Sequence, residues 1–420
     1  MVGNSGQLAR GGALTVSATA LVATFIFYAV QTAPMHFFYI ALPIVLREGG
    51  ADMTMIALTM TISLPWSIKI FWAGLVDRYP LGDGTPFRNW VLLTHFLAAS
   101  GCFALAWLSP VSSFGLMIAL GTFVAAMCAT QDIAVDGWAS AIFRGNQAGG
   151  GATVQAVGSS VGAVAGGAIM LVFFAKGGWP AMCYALAVII LVSSIAVRLM
   201  PKLECAEVSQ RISAWKRAWH LVQERQTRWI FVLTCVVRSP PNLVLIMLQP
   251  ALVDLGADTS ELITFNIFQT MGASAAGALL SGLMLRHFNI KIIVFFALIT
   301  FVACSFALYA SVDAGSLYWT KWAVTGWWFV GSFGLVLMYQ LFLKATNPHH
   351  GGFDFTFFVS IDILLAVLLS PISGFVAETM GVQHLALCVA CLSVILVPVG
   401  LRVASGSTSA AFYEMVRSRS

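Results

Sequence analysis

Long apolar runs separated by short polar breaks set the pattern of this chain. A bilayer crossing needs about 20 mostly apolar residues. By that measure the runs mark twelve helical spans. They fall near residues 16–46, 54–75, 89–108, 113–140, 150–175, 179–199, 229–253, 261–285, 292–311, 319–344, 353–377 and 385–402. A membrane barrel would show short alternating segments instead. The first run is long enough to tilt or bend, and Pro34 and Pro43 offer two places to do so. Residues 1–12 are polar with a single Arg10, and the run after them reaches about Leu46. That is too long for a cleaved signal, so the first span is expected to be retained.

Composition agrees with the pattern. Of 420 residues, 59% are hydrophobic and 9% are charged, whereas a soluble globular chain carries about 25% charged residues. The expected class is an all-α, multi-pass membrane protein. The net charge of +5 comes from basic residues scattered over loops, which gives no footprint for a nucleic-acid partner. Seven of the eight cysteines lie in apolar spans, and only Cys205 falls in a loop. Cys388 and Cys391 have CxxC spacing, read here as helix packing.

The positions of Lys and Arg set the expected orientation. With the N-terminus inside, inner loops, helix ends and tails hold Arg10, Arg78, Arg88, Arg144, Arg286, Lys291, Lys344, Arg402, Arg417 and Arg419. The outer loops hold only Arg47, Lys176 and Lys321, beside acids such as Asp254, Asp258 and Glu261. Both termini are expected in the cytoplasm. Three parts follow: residues 1–200, a cytoplasmic linker over 201–228, and residues 229–420. The linker interleaves Trp215, Trp219 and Trp229 with basic residues, the pattern of an amphipathic helix on the inner membrane face.

The two halves repeat. Gln31 to Gly49, with Pro34 and Pro43, aligns at a constant offset with Arg238 to Gly256, which carries Pro241 and Pro250. The pairs Ala51-Asp52 and Ala257-Asp258 then follow with a one-residue slip, and Gly74 to Arg78 matches Gly282 to Arg286.

The fourth span contains Gln131-Asp132-Ile133-Ala134-Val135-Asp136-Gly137-Trp138-Ala139. Asp132 and Asp136 are four residues apart and share one helix face. Either they sit within the membrane, where carboxylates are costly and functional, or they end the helix at its surface. The first reading is preferred. Three stretches together resemble the muropeptide-permease branch of the major facilitator superfamily. They are Phe38 to Gly49 with Pro43, Leu64 to Tyr79 with Lys69, Gly74 and Asp77, and the run from Gln131 to Ala139. That branch includes muropeptide permeases, acetyl-CoA transporters and the siderophore permeases for rhizobactin and pyochelin. The resemblance implies two six-span halves with substrate bound between them near mid-membrane. It implies an inner-gate role for Asp77 and Arg78. The Gly-Arg-Arg usual after them is replaced by Pro80 to Arg88, which leaves the partner of Arg88 open.

Other in-membrane positions carry further chemistry. Lys69 lies eight residues before Asp77, and Asp362 eight residues after Asp354, so both sit about 12 Å from the inner surface. The family fold makes spans two and eleven neighbours. Lys69 is therefore expected to approach Asp362 in at least one conformation, with Asp132 and Asp136 as competing partners. Arg238 stands before the Ser239-Pro240-Pro241-Asn242 break in span seven, where it could bind a carboxylate or hydroxamate or could snorkel to the interface. Gln31, His36, Asn242, Gln155, Gln269 and Tyr339 are expected cavity lining. His36 could relay protons or be a satisfied polar residue. Trp319, Trp322, Trp327 and Trp328 read mostly as an interfacial belt, with one or two free to stack on a bulky ligand. His349-His350 lacks the company of a metal site. Glycines at 158, 162, 166 and 167 indicate close helix packing.

No Walker motif, nucleophile elbow or metal-ligand cluster is present, which argues against an enzyme or an ATP-driven pump. The expected activity is proton-coupled import across a bacterial inner membrane, by alternating access and without a cofactor. The short tail after span twelve ranks a siderophore first and a muropeptide second as the substrate. Drug efflux and a membrane-embedded receptor or enzyme rank below both. A small-molecule substrate, the lipid bilayer and a monomeric state complete the expectation.

Overall fold

The structure is a computed structural model that describes residues 17–79, 81, 86–143, 148–200, 214–346 and 351–405. Expectations on Arg10, Arg144, Cys205, His349, His350, Arg417 and Arg419 lie outside the described residues. The side chains of Asp77, Arg78 and Trp215 do so as well.

The described residues form a bundle of twelve membrane-crossing helices. Span one is Ala18–Glu48. Span two is broken, with Met53–Ile68 and Ile70–Val76 meeting at 50°. Spans three and four are Pro86–Leu105 and Phe114–Ile142. Spans five (148–176) and six (179–199) are parted at Gly177 and Gly178, and Gly178 takes φ 67°, a conformation open to glycine. After the linker helix Ala214–Gln223 come spans seven (Arg225–Asp254), eight (Thr259–His287) and nine (Ile290–Asp313). Spans ten (Leu317–Ala345), eleven (Gly351–Met380) and twelve (Val382–Ser405) complete the bundle. Phe96, Leu116, Val192, Leu279 and Phe375 are among the exposed apolar side chains that such a bundle presents to lipid.

The repeat is visible in backbone geometry. After span one, Gly50 has φ 83°, and the Ala51 N–H returns to the Leu46 carbonyl. Asp52 then caps the next helix by accepting from the Met55 N–H. After span seven the same three features recur at Gly256 with φ 87°, at Ala257 to Leu252, and at Asp258. Exposed Asp258 is held below the usual carboxylate range, first by the Glu261 backbone N–H that it accepts from. The one-residue slip has a structural cause. Span one contains a wide π turn at Phe37–Ala41, whereas span seven has a tight 3-10 turn at Leu245–Met247. A π turn takes more residues for the same length of helix.

Glycines set the closest helix approaches. A Cβ added at Gly162 or Gly166 would lie 2.2 Å from the Ala29 carbonyl oxygen or 1.8 Å from that of Ala33. Span five therefore lies directly on the backbone of span one. At the end of the bundle that carries Arg47, Gly374 of span eleven meets span two, where a Cβ would fall 2.3 Å from that of Ala57. Polar contacts close the same end. Arg47 donates to both carboxylate oxygens of Asp254 at 2.5 and 2.9 Å. Thr259 donates to Glu48, and the Met53 N–H donates to Glu378. At the opposite end the linker helix is tied to span eleven by Arg217, which grips buried Asp354 through Nε at 2.8 Å and Nη2 at 2.5 Å.

The glycine packing predicts that Gly166→Leu wedges span five off span one and lowers stability by at least about 1–3 kcal/mol. Gly150→Leu, at a position with open space around it, is the control. Thermal unfolding in detergent micelles reads the difference.

Candidate functional site

Buried charges gather in two groups. In the first, Lys69 ion-pairs with Asp132, and Gln31 donates a hydrogen bond to the same carboxylate. Lys69 stands at the break in span two, between Ile68 and Ile70. The Leu64-Pro65 step starts the short helix that leads to this break. Asp136, one turn along span four, accepts from the Tyr28 hydroxyl at 2.5 Å. The two acids are thus unlike. Asp132 has a cation, and Asp136 has a neutral donor. Trp72 donates to Thr130 at 3.1 Å and fixes the crossing of spans two and four.

In the second group, Arg238 of span seven donates through Nε to Asp362 of span eleven at 2.8 Å. The Gly331 carbonyl of span ten takes a further guanidinium donor at 3.2 Å. Asn242 donates to the same Asp362 oxygen at 3.3 Å. Pro240 and Pro241 lie within this helical stretch. Their missing N–H groups remove two helix hydrogen bonds from this stretch.

In this conformation Lys69 pairs with Asp132, one of its two expected competing partners, while Asp362 is held by Arg238. Arg238 is itself buried and paired rather than extended toward an interface. Sequence spacing gave Lys69 and Asp362 similar depths but could not show that each has a partner closer to hand. The break in span two also escaped the hydropathy pattern, which is continuous through Lys69; Pro65 was the available signal.

A cavity of about 220 Å³ opens beside the second group. Arg238, Asn242 and Asp362 line it, with His36 and Tyr39 from span one and Tyr339 from span ten. Tyr339 packs its ring edge-on against Phe355 at 5.6 Å. His36 uses Nδ1 on the Thr32 carbonyl at 3.2 Å. Tyr39 and Met60 join the lining without having been singled out in the sequence. Three expected lining residues lie elsewhere, and of these Gln31 is taken up by Asp132. Gln155 is on an exposed part of span five, and Gln269 is exposed on span eight, where Thr325 donates to it at 3.5 Å. Trp319 and Trp322 are 62% and 52% exposed, as belt residues are, whereas Trp327 and Trp328 line the cavity. Asp77 and Arg78 end the helix Ile70–Arg78. Among the described residues no group of three His, Cys, Asp or Glu could hold a metal ion.

A family model described as Major Facilitator Superfamily matches residues 20–361. The chain belongs to that superfamily. It is 23% identical over 360 residues to the anhydromuropeptide permease of Escherichia coli K12, a match that covers 81% of this chain and 72% of the relative. Among solved structures, the D323A mutant of nucleoside transporter NupG superposes with a TM-score of 0.72 at 13% identity, covering 91% of this chain and 99% of that one. A bacterial homologue of the lysosomal transporter Spinster, described as inward-facing and unoccupied, gives 0.70 at 12% identity, covering 94% and 97%. These structures share the superfamily fold with this chain.

Removing one partner of a buried ion pair leaves an uncompensated charge. Lys69→Ala is expected to cost about 3–5 kcal/mol, and the double change Lys69→Met with Asp132→Leu to recover most of it. Unfolding midpoints of the purified single and double variants measure this.

Proposed function

We propose that this superfamily transporter imports a muropeptide-type solute across a bacterial inner membrane, driven by protons. The observation that carries the reading is the Arg238–Asp362 pair lining a cavity, in a chain matched over 81% of its length to an anhydromuropeptide permease. A guanidinium that donates through Nε to Asp362, through Nη1 to the Gly331 carbonyl and through Nη2 to the Asn242 side-chain oxygen keeps its remaining N–H donors for a substrate carboxylate. The siderophore reading, ranked first from chain length, draws no support from these relatives, so the muropeptide reading replaces it as the lead.

The reading assigns coupling to Asp132 and Asp136 with Lys69. Protonation of either acid changes which of them the ammonium must neutralise, and so loosens the contacts of spans one, two and four. Basic residues concentrate at the linker end, which the proposal places in the cytoplasm. The end closed by Arg47–Asp254 then faces outward, and the residues before and after the linker rock against one another as two halves. A cavity of about 220 Å³ is below the roughly 300–1,000 Å³ that encloses a drug-sized ligand. A disaccharide with a peptide stem therefore needs the halves to separate.

Two measurements test this. Proteoliposomes are given labelled anhydro-muropeptide or an iron-loaded siderophore, with and without a proton gradient. Gradient-dependent muropeptide uptake that falls to the level of empty vesicles in Asp132→Asn is expected. Siderophore uptake alone would overturn the substrate. In the second, Arg47→Cys and Asp254→Cys are combined and oxidised. Transport is expected to stop and to return on reduction, because the outward end must open in every cycle; unimpeded transport by the cross-linked protein would remove this end as a gate.

A further inference from the structure

The two groups of buried charges differ in their charge count. In the second, one cation, Arg238, meets one acid, Asp362. In the first, one cation, Lys69, serves two acids four residues apart on span four, Asp132 and Asp136. A charge without a counter-charge is costly inside a bilayer. The second group is neutral as it stands, whereas the first is neutral only when it holds one extra proton.

The partners decide which acid holds that proton. Asp132 accepts from the Lys69 ammonium and from the Gln31 amide. Protonating Asp132 would leave a buried ammonium without its ion pair. Asp136 is in no ion pair among the described residues, and its partner is the Tyr28 hydroxyl at 2.5 Å. A hydroxyl both donates and accepts, whereas an ammonium only donates. Tyr28 donates to Asp136 as a carboxylate and can accept from it as a carboxylic acid, so the contact survives in both states. Tyr28 is 2% exposed and belongs to one apolar cluster with Ala134, Val135 and Trp138. Asp136 is only partly buried, which leaves it within reach of a proton from water. The charged groups that bear on Asp136 are Asp132 on its own helix and Lys69 from span two.

We propose that the first group carries one transported proton, that Asp136 is its carrier, and that Tyr28 is the positioning residue serving both states of that acid. A proton from the outer solution forms an O–H bond on the Asp136 carboxylate, and the same bond breaks to release it to the inner solution. Asp132 stays ionised on Lys69 throughout. This rests on the reading of these acids as the coupling site, and narrows it to one residue and one proton in each cycle.

Infrared spectra of the full chain in lipid nanodiscs, without substrate, read the proton through the carbonyl stretch of a carboxylic acid. Wild type is expected to show such a band, and the isosteric Asp136→Asn to lack it. Tyr28→Phe is expected to move the band's frequency and the pH at which it titrates, while Gln31→Met leaves the frequency in place. A band that Gln31→Met moves and Tyr28→Phe does not puts the proton on Asp132 and overturns the assignment. A spectrum with no band that Asp136→Asn removes overturns it as well.

Proteoliposomes with labelled anhydro-muropeptide supply the second measurement. With the membrane potential held at zero, one proton per solute gives about tenfold accumulation for each unit of pH difference. About a hundredfold would require two protons and overturn the count. Asp136→Asn is expected to lose accumulation yet still exchange labelled for unlabelled solute, which also shows that it is folded. Undiminished accumulation in that variant overturns the carrier. A wild type that shows the band but moves no muropeptide leaves the proton site standing and removes the muropeptide reading.

Discussion

A charge inside a lipid bilayer must meet an opposite charge or a set of hydrogen bonds. The architecture of this transporter follows that constraint. Lys69 and Asp132 join spans two and four, and Arg238 and Asp362 join spans seven and eleven. Each pair also takes a neutral amide, Gln31 in one group and Asn242 in the other. Gln31 and Arg238 are repeat mates. The same position thus serves as a helper in one half of the sequence and as the principal cation in the other.

The local backbone is fitted to these charges. Span two breaks at the residue that carries the ammonium, and span seven carries two prolines just beyond the guanidinium. Regular helices would spend every carbonyl on the helix itself. Irregular backbone is tolerated at this depth only where protein or a cavity surrounds it, and here it lies against both. The cavity is lined by Pro241 of this stretch together with Arg238, Asn242 and Asp362.

Much of this was legible in the chain. Hydropathy marks each span to within a few residues, because lipid imposes one length and one polarity on every crossing. The in-membrane ionisable residues stand out for the same reason, and Arg238, Asn242, Asp362, His36 and Tyr339 do line one cavity. Pairing was legible only in part: Asp132 was among the expected partners of Lys69, but Arg238 was not expected on Asp362. Depth along a helix follows from counting residues, but the azimuth of Lys69 depends on a 50° bend that an uninterrupted apolar pattern does not announce. Gln155 and Gln269 show the complementary limit, since a polar side chain in an apolar run does not by its place in sequence reveal which side of the helix it takes, and both lie outside this cavity. The division of the tryptophans, two at the surface and two at the cavity, rests on helix rotation, which composition does not encode.

The turn geometry after spans one and seven bears on how the two repeats came to differ. Gly50 matches Gly256 and Leu46 matches Leu252, so Asp254 occupies the place of Glu48. In a protein made of two identical copies of the first repeat, Arg47 of each copy would face Glu48 of the other, and the contact would occur twice about the pseudo-twofold axis. The present chain keeps one of the two. Val253 stands where the second arginine would be, and Glu48 accepts from Thr259 instead. The two halves thus meet at this end through unlike contacts at equivalent places, an ion pair at Arg47–Asp254 and a neutral hydrogen bond from Thr259 to Glu48.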